Sequence, residues 1–179
     1  ISAVPCTADL HAEMDIPGYT LNTTVDNDII LEIAEALAKS KRPLILAGHG
    51  AMISRADDTL LAFAEKAQIP VTSTLLGKGV FPETHALALG MLGMHGTAYA
   101  NKAICECDLL LNIGSRFDDR ILGKPEEFCK DATIIHVDID AAEIGKMIHF
   151  WSFAKKWRVS HTLSFKRKAP SSVLSNSQA

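Results

Sequence analysis

The residues best suited to chemistry lie between Gly90 and Arg120, where a glycine-rich loop and a charged loop flank a helix and an apolar strand. The glycines of the first loop allow positive φ values and a close approach of the backbone to a ligand. The charged loop, residues 114–120 (GSRFDDR), carries two arginines and two aspartates. The guanidinium of Arg120 suits bidentate binding of a carboxylate, and an ion pair with Asp118 or Asp119 is the alternative.

Three histidines, His49, His95 and His136, invite catalytic interpretations, but no Ser or Cys nucleophile lies at a recognisable spacing from any of them. Structural or ligand-hydrogen-bonding roles are therefore favoured. Asp118 and Asp119 are candidate general acids or metal ligands, yet the arginines on either side favour ion pairs that shape the loop.

The four cysteines, Cys6, Cys105, Cys107 and Cys129, show no paired spacing beyond the Cys-Glu-Cys at 105–107. Such spacing argues against a zinc site or a disulfide framework. The prediction is buried or half-buried free thiols in a reducing compartment, and no metal ligand is predicted in the chain.

Alternating helix and strand patterns position these residues. Apolar residues at helical spacing predict helices from Asp26 or Asn27 to Lys39, from Ser54 to Gln68 and from Ala98 to Cys107, with another beginning over 141–147. Ile30 and Phe63 are among the side chains predicted to face inward. Short apolar runs predict strands over 44–48, 71–74, 109–113 and 133–138. This order predicts a three-layer α/β domain, with helices covering both faces of a parallel, Rossmann-like sheet.

The ends of the four predicted strands converge on one edge of such a sheet, at residues 48–50, 74–75, 114–116 and 138–140. Open α/β sheets bind ligands there, because helix starts favour phosphate and a carboxylate can accept hydrogen bonds from ribose or adenine. The sequence therefore predicts a nucleotide-shaped site. The usual dinucleotide fingerprint is absent, because Gly48-His49-Gly50 is not followed by a third glycine, and a tight strand-to-helix turn is the alternative.

Composition and charge divide the chain. Its 179 residues suit one domain with a net charge of -3, yet seven basic residues and no acidic residue follow Glu143. We expect a linker over 1–22 from a missing preceding domain, a folded domain over 23–147, and a divergent basic tail over 148–179, either disordered or non-native. No apolar run is long enough for a bilayer and no signal-peptide pattern opens the chain. Charges in a tail without a folding pattern are usually solvated, so neither a membrane nor nucleic acid is an expected partner.

Four motifs, LLGKG at 75–79, GMLGMHGTAYAN at 90–101, GSRFDDR at 114–120 and HVDIDAAEIGK at 136–146, occur in this order. Together they resemble the central domain of the catalytic subunit of acetohydroxyacid synthases (acetolactate synthases), which are thiamine-diphosphate enzymes. The resemblance covers about residues 15–146. It implies a six-stranded parallel domain that binds FAD in an extended pose, with a structural rather than a redox part for the flavin. It also implies an enzyme that decarboxylates pyruvate on thiamine diphosphate and Mg²⁺ and joins the two-carbon unit to a second 2-ketoacid, in branched-chain amino acid synthesis.

The same resemblance assigns roles to individual residues. It places Gly48, His49 and Gly50 by the FAD phosphates or ribitol, Thr74, Leu75 and Leu76 along the flavin, and Met94, His95 and Gly96 by the isoalloxazine and the channel to the active centre. It places Gly114, Ser115, Arg116, Asp118 and Arg120 in the continuing FAD and channel wall, and Asp138 and Ile139 beside the adenosine. Arg120, with Met94, would bind the second ketoacid, the arginine holding its carboxylate.

The resemblance also limits what this chain is expected to do. The family's catalytic glutamate and its Gly-Asp-Gly motif for Mg²⁺ and diphosphate belong to other domains, so no catalytic residue is expected here and the chain alone is expected to be inactive. Implied partners are the other domains of the same subunit, a homodimer or tetramer of catalytic subunits, a regulatory small subunit and 2-ketoacids. The implied location is cytoplasmic in a bacterium, and a plastid or mitochondrion in a eukaryote.

Two other functions remain open on sequence grounds. One is a non-catalytic nucleotide-binding or subunit-interaction module, and the other is the central domain of a related thiamine enzyme such as glyoxylate carboligase. After Met147 the chain departs from the family pattern, and a shifted reading frame, an alternative exon or a cloning product would each explain the change.

Overall fold

The computed structural model describes residues 27–122, 128–140 and 143–144. Five strands are present in this part of the chain: β1 (Pro43–Ala47), β2 (Val71–Ser73), β3 (Ala88–Met91), β4 (Leu109–Ile113) and β5 (Thr133–Val137). The helices are α1 (Asn27–Lys39), α2 (His49–Ile53), α3 (Asp57–Ala67), α4 (Ala98–Glu106) and α5 (Asp119–Leu122), with a 3-10 turn at Leu75–Gly77. The linker predicted over 1–22, the tail predicted over 148–179 and most of the helix predicted over 141–147 lie outside the described residues.

The five strands form one sheet in which all neighbours are parallel, in the order β3-β2-β1-β4-β5. The chain therefore builds outward from β1 to β3 on one side, then crosses back to place β4 and β5 on the other. The reversal lies between β1 and β4, whose register pairs Pro43 with Leu109 and Ala47 with Ile113. Open α/β sheets bind ligands at such a reversal, outside the carboxyl ends of the strands.

Alternate strand residues feed two separate cores, one on each face of the sheet. Ile45 and Ala47 of β1 pack in the first core with side chains from α1, α2 and α3, while Leu44 and Leu46 pack in the second with α4. Because both faces are covered, β1 is apolar along its whole length, and β4 and β5 are mostly apolar, rather than alternating. The arrangement confirms the predicted three-layer α/β fold.

Local capping explains where the better-defined helices begin and end. The Thr97 hydroxyl accepts a hydrogen bond from the Ala100 N–H at 3.1 Å and so caps the start of α4. Helix α3 ends at Ala67 and is capped by Gln68, which adopts the left-handed conformation (φ 54°) and donates its N–H to the Ala64 and Glu65 carbonyls. This closing turn leads into Ile69 and Pro70, from which β2 starts.

The structure differs from the sequence-based expectations in several details. Strand β3 was not predicted, because Gly90 was interpreted as part of a loop. The resemblance implied six strands, whereas the described residues form five. The helix predicted from Ser54 begins at Asp57, because Arg55 takes a left-handed φ of 53° and separates it from the short α2.

The inward-facing stripes of the outer helices are also narrower than predicted. Ile30 and Phe63 are 40% and 36% exposed, since Ile33 and Leu37 of α1 and Leu60 and Ala64 of α3 make the contact with the core.

Candidate functional site

The carboxyl edge of the sheet is the row of residues that directly follows the strands. Backbone hydrogen bonds extend the sheet by one residue along this edge. The N–H groups of Leu92, Thr74, Gly48 and Gly114 donate to Ser73, Ala47, Ile113 and Val137, the last residues of the neighbouring strands, at 2.9, 3.0, 2.8 and 2.7 Å. Each loop of the carboxyl edge therefore starts from a fixed backbone position. The residues predicted to bind a ligand follow these anchors directly.

The loops after β1 and β4 leave the sheet on opposite faces, at the reversal of strand order. Gly48, His49 and Gly50 lead into α2, whose Ala51 lies in the first core, whereas Phe117 turns into the second core. The two loops touch through their backbones, since the Gly50 N–H donates to the Gly114 carbonyl at 3.0 Å. Diverging loops of this kind form the crevice in which doubly wound sheets hold ligands.

Backbone packing alone accounts for the glycines of this crevice. A β-carbon on Gly48 would lie 2.2 Å from the Gly114 oxygen, and one on Gly114 would lie 2.7 Å from the Ala51 nitrogen. Gly114 also has a positive φ of 66°. The N–H groups of Gly50 and Ala51, at the start of α2, bond to the Gly114 and Gly48 carbonyls, so they are already engaged within the protein. These donors, which the sequence suggested for phosphate, therefore hold the turn together.

The loop after β2 combines a buried cap with exposed apolar side chains. Thr74 is buried, and its hydroxyl accepts the Gly77 N–H at 3.0 Å, which caps the 3-10 turn. Leu75 and Leu76 are 68% and 61% exposed. The fixed backbone thus presents two large apolar side chains at the carboxyl edge.

The loop after β3 is held by an amide side chain. Asn101 accepts the Gly93 N–H through Oδ1 at 3.1 Å and donates from Nδ2 to the Gly93 carbonyl at 3.0 Å. The Met94 N–H then donates to the Arg120 carbonyl at 3.3 Å, while the Met94 and His95 side chains are exposed. The structure therefore joins the backbones of Met94 and Arg120, the two residues predicted to bind a second substrate.

The charged loop after β4 alternates buried and exposed side chains. Ser115 and Phe117 are buried, whereas Arg116 is exposed. Phe117 has a φ of 56°, an uncommon value for a bulky residue, and packs edge-to-face on His136 with ring centroids 5.1 Å apart. Asp118 is half-buried and accepts the Arg120 N–H at 3.1 Å. Anchoring of the Phe117 ring fixes the loop, so that Arg116 extends into solvent.

The residues after β5 place a carboxylate at the end of the row. Asp138 accepts the Asp140 N–H at 3.0 Å, and its other oxygen lies 3.8 Å from Nε2 of His136, too far for a hydrogen bond. Burial acts to raise the pKa of Asp138, but the His136 ring and the N–H groups of Asp140 and Ile139 outweigh it, so this pKa lies below its usual value. Asp138 is therefore an ionised acceptor at neutral pH, next to the half-exposed Ile139 side chain.

Sequence reasoning missed Asn112, which lies beneath this edge. Asn112 is fully buried in β4, pairs in register with His136, and donates to the Ser115 carbonyl at 2.6 Å. Three buried atoms, Oδ1 of Asn112, Oγ of Ser115 and Nε2 of His136, have no hydrogen-bond partner among the described residues. Buried polar groups are normally paired, so these atoms can serve a water or a polar ligand atom. The sequence signal that could have identified Asn112 is its polar amide within the otherwise apolar run LLLNI at 109–113.

Comparisons with known proteins agree with this architecture. The family pattern described as "Thiamine pyrophosphate enzyme, central domain" matches residues 30–155. The chain belongs to this family. It is 53% identical over 139 residues to the probable acetolactate synthase large subunit of Methanocaldococcus jannaschii, covering 78% of this chain and 24% of that protein. It is 43% identical over 148 residues to the acetolactate synthase large subunit of Lactococcus lactis, which covers 83% of this chain and 26% of that protein.

A third relative, the acetolactate synthase large subunit of Cyanidium caldarium, is 56% identical over 117 residues, covering 65% of this chain and 20% of that protein. The chain thus spans about a quarter of the length of these curated relatives. The resemblance to acetolactate synthases expected from the four motifs is confirmed.

Within this thiamine pyrophosphate enzyme central domain, the predicted residues occupy a single edge. Large apolar side chains at that edge are well exposed: Leu75, Leu76, Met94 and Ile139. Exposed apolar side chains beside a few fixed polar groups are typical of cofactor and substrate sites. Together with these apolar side chains, the unpaired polar atoms beneath the edge and the exposed Arg116 fit a polar ligand that carries an aromatic or apolar part.

Two kinds of feature are absent from the described part of this central domain. No group of three His, Cys, Asp or Glu side chains is arranged there to hold a metal ion. No helix among the described residues has the length and apolarity that a bilayer crossing requires.

Proposed function

We propose that this chain is the FAD-binding central domain of an acetolactate synthase large subunit. The observation that supports the proposal is the order of the assigned residues along the carboxyl edge. From β5 to β3 this order is Asp138 and Ile139, then 114–116, then 48–50, then 74–76, then 94–96. In the same order, the resemblance assigns these positions to the adenosine, the continuing FAD and channel wall, the FAD phosphates or ribitol, the flavin, and the isoalloxazine with the channel. Five strands about 4.8 Å apart make this edge about 19 Å long, which suits an extended dinucleotide.

Particular side chains are suited to each part of FAD. The ionised Asp138 would accept hydrogen bonds from the adenosine, and the half-exposed Ile139 would pack beside it. Arg116 would supply the positive charge for the diphosphate, because the N–H groups of Gly50 and Ala51 are engaged within the protein. Leu75, Leu76 and Met94 would cover the isoalloxazine. FAD would act as a structural cofactor here, holding these loops against the rest of the subunit.

FAD binding to the 179-residue chain tests this proposal. Titration of the chain into FAD, followed by fluorescence anisotropy or calorimetry, is expected to show saturable binding. Arg116→Ala should weaken binding at least tenfold, since it removes a charge-assisted contact worth about 1.5–3 kcal/mol. Arg42→Ala is the matched control, because Arg42 is exposed and precedes β1 at the opposite edge of the sheet. Equal affinities for both variants, or no binding at high FAD, would contradict the proposed site.

In the complete subunit, the proposed reaction joins the two-carbon unit of pyruvate to a second 2-ketoacid. Thiamine diphosphate and Mg²⁺ would be held by the other domains of the subunit. Arg120 would bind the carboxylate of the second ketoacid, since its backbone is fixed to Met94 at the carboxyl edge. Further partners would be a second or further catalytic subunit and a regulatory small subunit. The compartment would be the cytoplasm in a bacterium and a plastid or mitochondrion in a eukaryote.

Kinetics of the complete enzyme test the role of Arg120. Arg120→Ala is expected to raise the KM for the second ketoacid at least tenfold. The midpoint of thermal unfolding should change little, because Arg120 is exposed and contacts of an exposed charge contribute little to stability. Arg42→Ala again provides the matched control. A parallel loss of stability and activity in Arg120→Ala would show that this arginine supports the fold instead.

A further inference from the structure

Two buried thiols are in contact on the α4 face of the sheet, away from the carboxyl edge. Cys107 follows α4, and Cys129 lies shortly before β5. They are 5% and 4% exposed, and their Sγ atoms are 3.9 Å apart. No nearby spacing in the sequence indicated this pair, since 22 residues separate them along the chain.

One backbone carbonyl holds the two sulfurs side by side. The Cys107 thiol donates to the Ile104 carbonyl at 3.3 Å, and the Cys129 thiol donates to the same oxygen at 3.4 Å. Near the end of a helix such carbonyls lack their intrahelical donor. Here the Asp108 N–H, which would bond to Ile104 in a longer helix, donates to the Arg42 carbonyl at 3.2 Å. The end of α4 therefore fixes both thiols on a shared acceptor.

The two thiols differ in their acidity. When Cys107 is ionised, the Cys129 thiol can donate to the Cys107 sulfur instead of to Ile104. This hydrogen bond is the main influence that lowers the pKa of Cys107, despite burial and the nearby Asp108 carboxylate. Burial raises the pKa of Cys129 well above its usual value. Since the thiolate is the nucleophile in oxidation, Cys107 is suited to react first and Cys129 to follow.

We propose that Cys107 and Cys129 are a peroxide-sensitive pair that closes to an intramolecular disulfide. The Cys107 thiolate attacks one oxygen of hydrogen peroxide, the O–O bond breaks, and the departing hydroxide takes a proton to become water. The Cys129 sulfur then loses its proton and attacks the sulfenic sulfur of Cys107, and the S–O bond breaks to release a second water. Two thiols and one peroxide thus give one disulfide and two waters. For the bond to form, the two sulfurs must approach from 3.9 Å to about 2.05 Å.

The disulfide would join the end of α4 to the segment that leads into β5. That segment includes Phe128, which packs edge-to-face on Phe117 of the charged loop with centroids 5.8 Å apart. Oxidation would therefore restrain the support of the loop that carries Arg116 and Arg120. A disulfide also reduces the freedom of the unfolded chain, so the midpoint of thermal unfolding should rise.

Mass spectrometry of the 179-residue chain carrying Cys6→Ser and Cys105→Ser tests the proposal. The two remaining cysteines are then Cys107 and Cys129. After stoichiometric peroxide and alkylation, the expected product is a link between tryptic peptides 103–116 and 121–130, with the loss of two hydrogens and reversal by dithiothreitol. The thermal midpoint should be higher in the oxidised than in the reduced sample.

A further Cys129→Ser change in the same background is the matched control. It should leave Cys107 as a sulfenic acid that dimedone labels, with no cross-linked peptide. Circular dichroism checks that each variant is folded. Recovery of both thiols in alkylated form after peroxide treatment, or a wild-type link from Cys105 rather than Cys107, would overturn the proposal.

Discussion

Three glycine-to-alanine changes separate two reasons for which a glycine is required in this fold. Gly79 has a φ of 92° but open space, since the nearest atom to an added β-carbon is the Met52 methyl at 3.6 Å. Gly48 has an ordinary φ of -103°, but its added β-carbon would lie 2.2 Å from the Gly114 oxygen. Gly114 combines both problems, with a φ of 66° and a contact of 2.7 Å.

The structure allows the size of each effect to be estimated. Gly79→Ala causes no clash but forces an alanine into the left-handed backbone conformation, which lowers the free energy of unfolding by about 1–2 kcal/mol. Gly48→Ala must force the ends of β1 and β4 apart, and so weakens two hydrogen bonds, Gly48 N–H to Ile113 O and Gly50 N–H to Gly114 O. Loss of two buried backbone bonds costs about 2–6 kcal/mol. Gly114→Ala should be the most damaging of the three. The smaller conformational freedom of unfolded alanine offsets about 0.4–1 kcal/mol in every variant, so the ranking is unaffected.

Urea unfolding of the 179-residue chain, followed by far-ultraviolet circular dichroism, measures this series. The free energies of unfolding are expected to fall in the order Gly79→Ala, Gly48→Ala, Gly114→Ala, from the mildest loss to the largest. A native domain usually has only about 5–15 kcal/mol of stability, so Gly114→Ala is expected to be largely unfolded. If Gly48→Ala proves as mild as Gly79→Ala, the β1 and β4 loops do not touch as described.

Two further changes test the body of the fold. The Asp108 carboxylate accepts the Ser40 hydroxyl and the N–H groups of Lys41 and Arg42, and these bonds outweigh burial and lower its pKa. Asp108→Asn should therefore cost about 1–3 kcal/mol of unfolding free energy at pH 7. The difference between the unfolding free energies of the variant and the wild type should shrink as the pH falls below about 4 and the carboxylate becomes protonated. Urea unfolding at several pH values measures this difference. A difference that does not change with pH, or an equal loss in the exposed Asp131→Asn control, would contradict the assigned role of Asp108. Leu110→Ala should lower the free energy of unfolding by about 2–5 kcal/mol, because Leu110 is fully buried. Leu31→Ala, on the exposed side of α1, should change it by no more than about 0.5 kcal/mol. Similar losses from both changes in the same assay would show that the sheet core is misplaced.

The parts of the fold that the sequence predicted are those with a strong periodic signal. The apolar runs that became β1, β4 and β5 are buried on both faces of the sheet, so most residues in them are apolar and the runs are easily recognised. The residues that follow these strands could be placed at one edge, because parallel strands have their carboxyl ends on the same side of the sheet.

The parts that were missed depend on contacts between distant residues. Strand β3 contains Gly90 and is partly exposed along its length, so it lacks the apolar signature of the other strands. The contact between Cys107 and Cys129 and the hydrogen bond between Met94 and Arg120 each join residues that are far apart in the chain, and no sequence motif indicates either contact. Asn112 was overlooked because its hydrogen bond to Ser115 forms only when the loop after β4 has turned back over the strand.

The reversal of strand order between β1 and β4 sets a sequence of events for the nascent chain. β1 can pair with β2, and β2 with β3, once residues up to Met91 have been made. The other side of β1 must wait for β4, since Pro43 pairs with Leu109, 66 residues later. Until then, one side of a wholly apolar strand has unpaired N–H and C=O groups, which favours pairing with other chains. Closing such a long loop is also slow compared with local pairing. During synthesis, aggregation is therefore most expected in the interval between the appearance of β1 and that of β4.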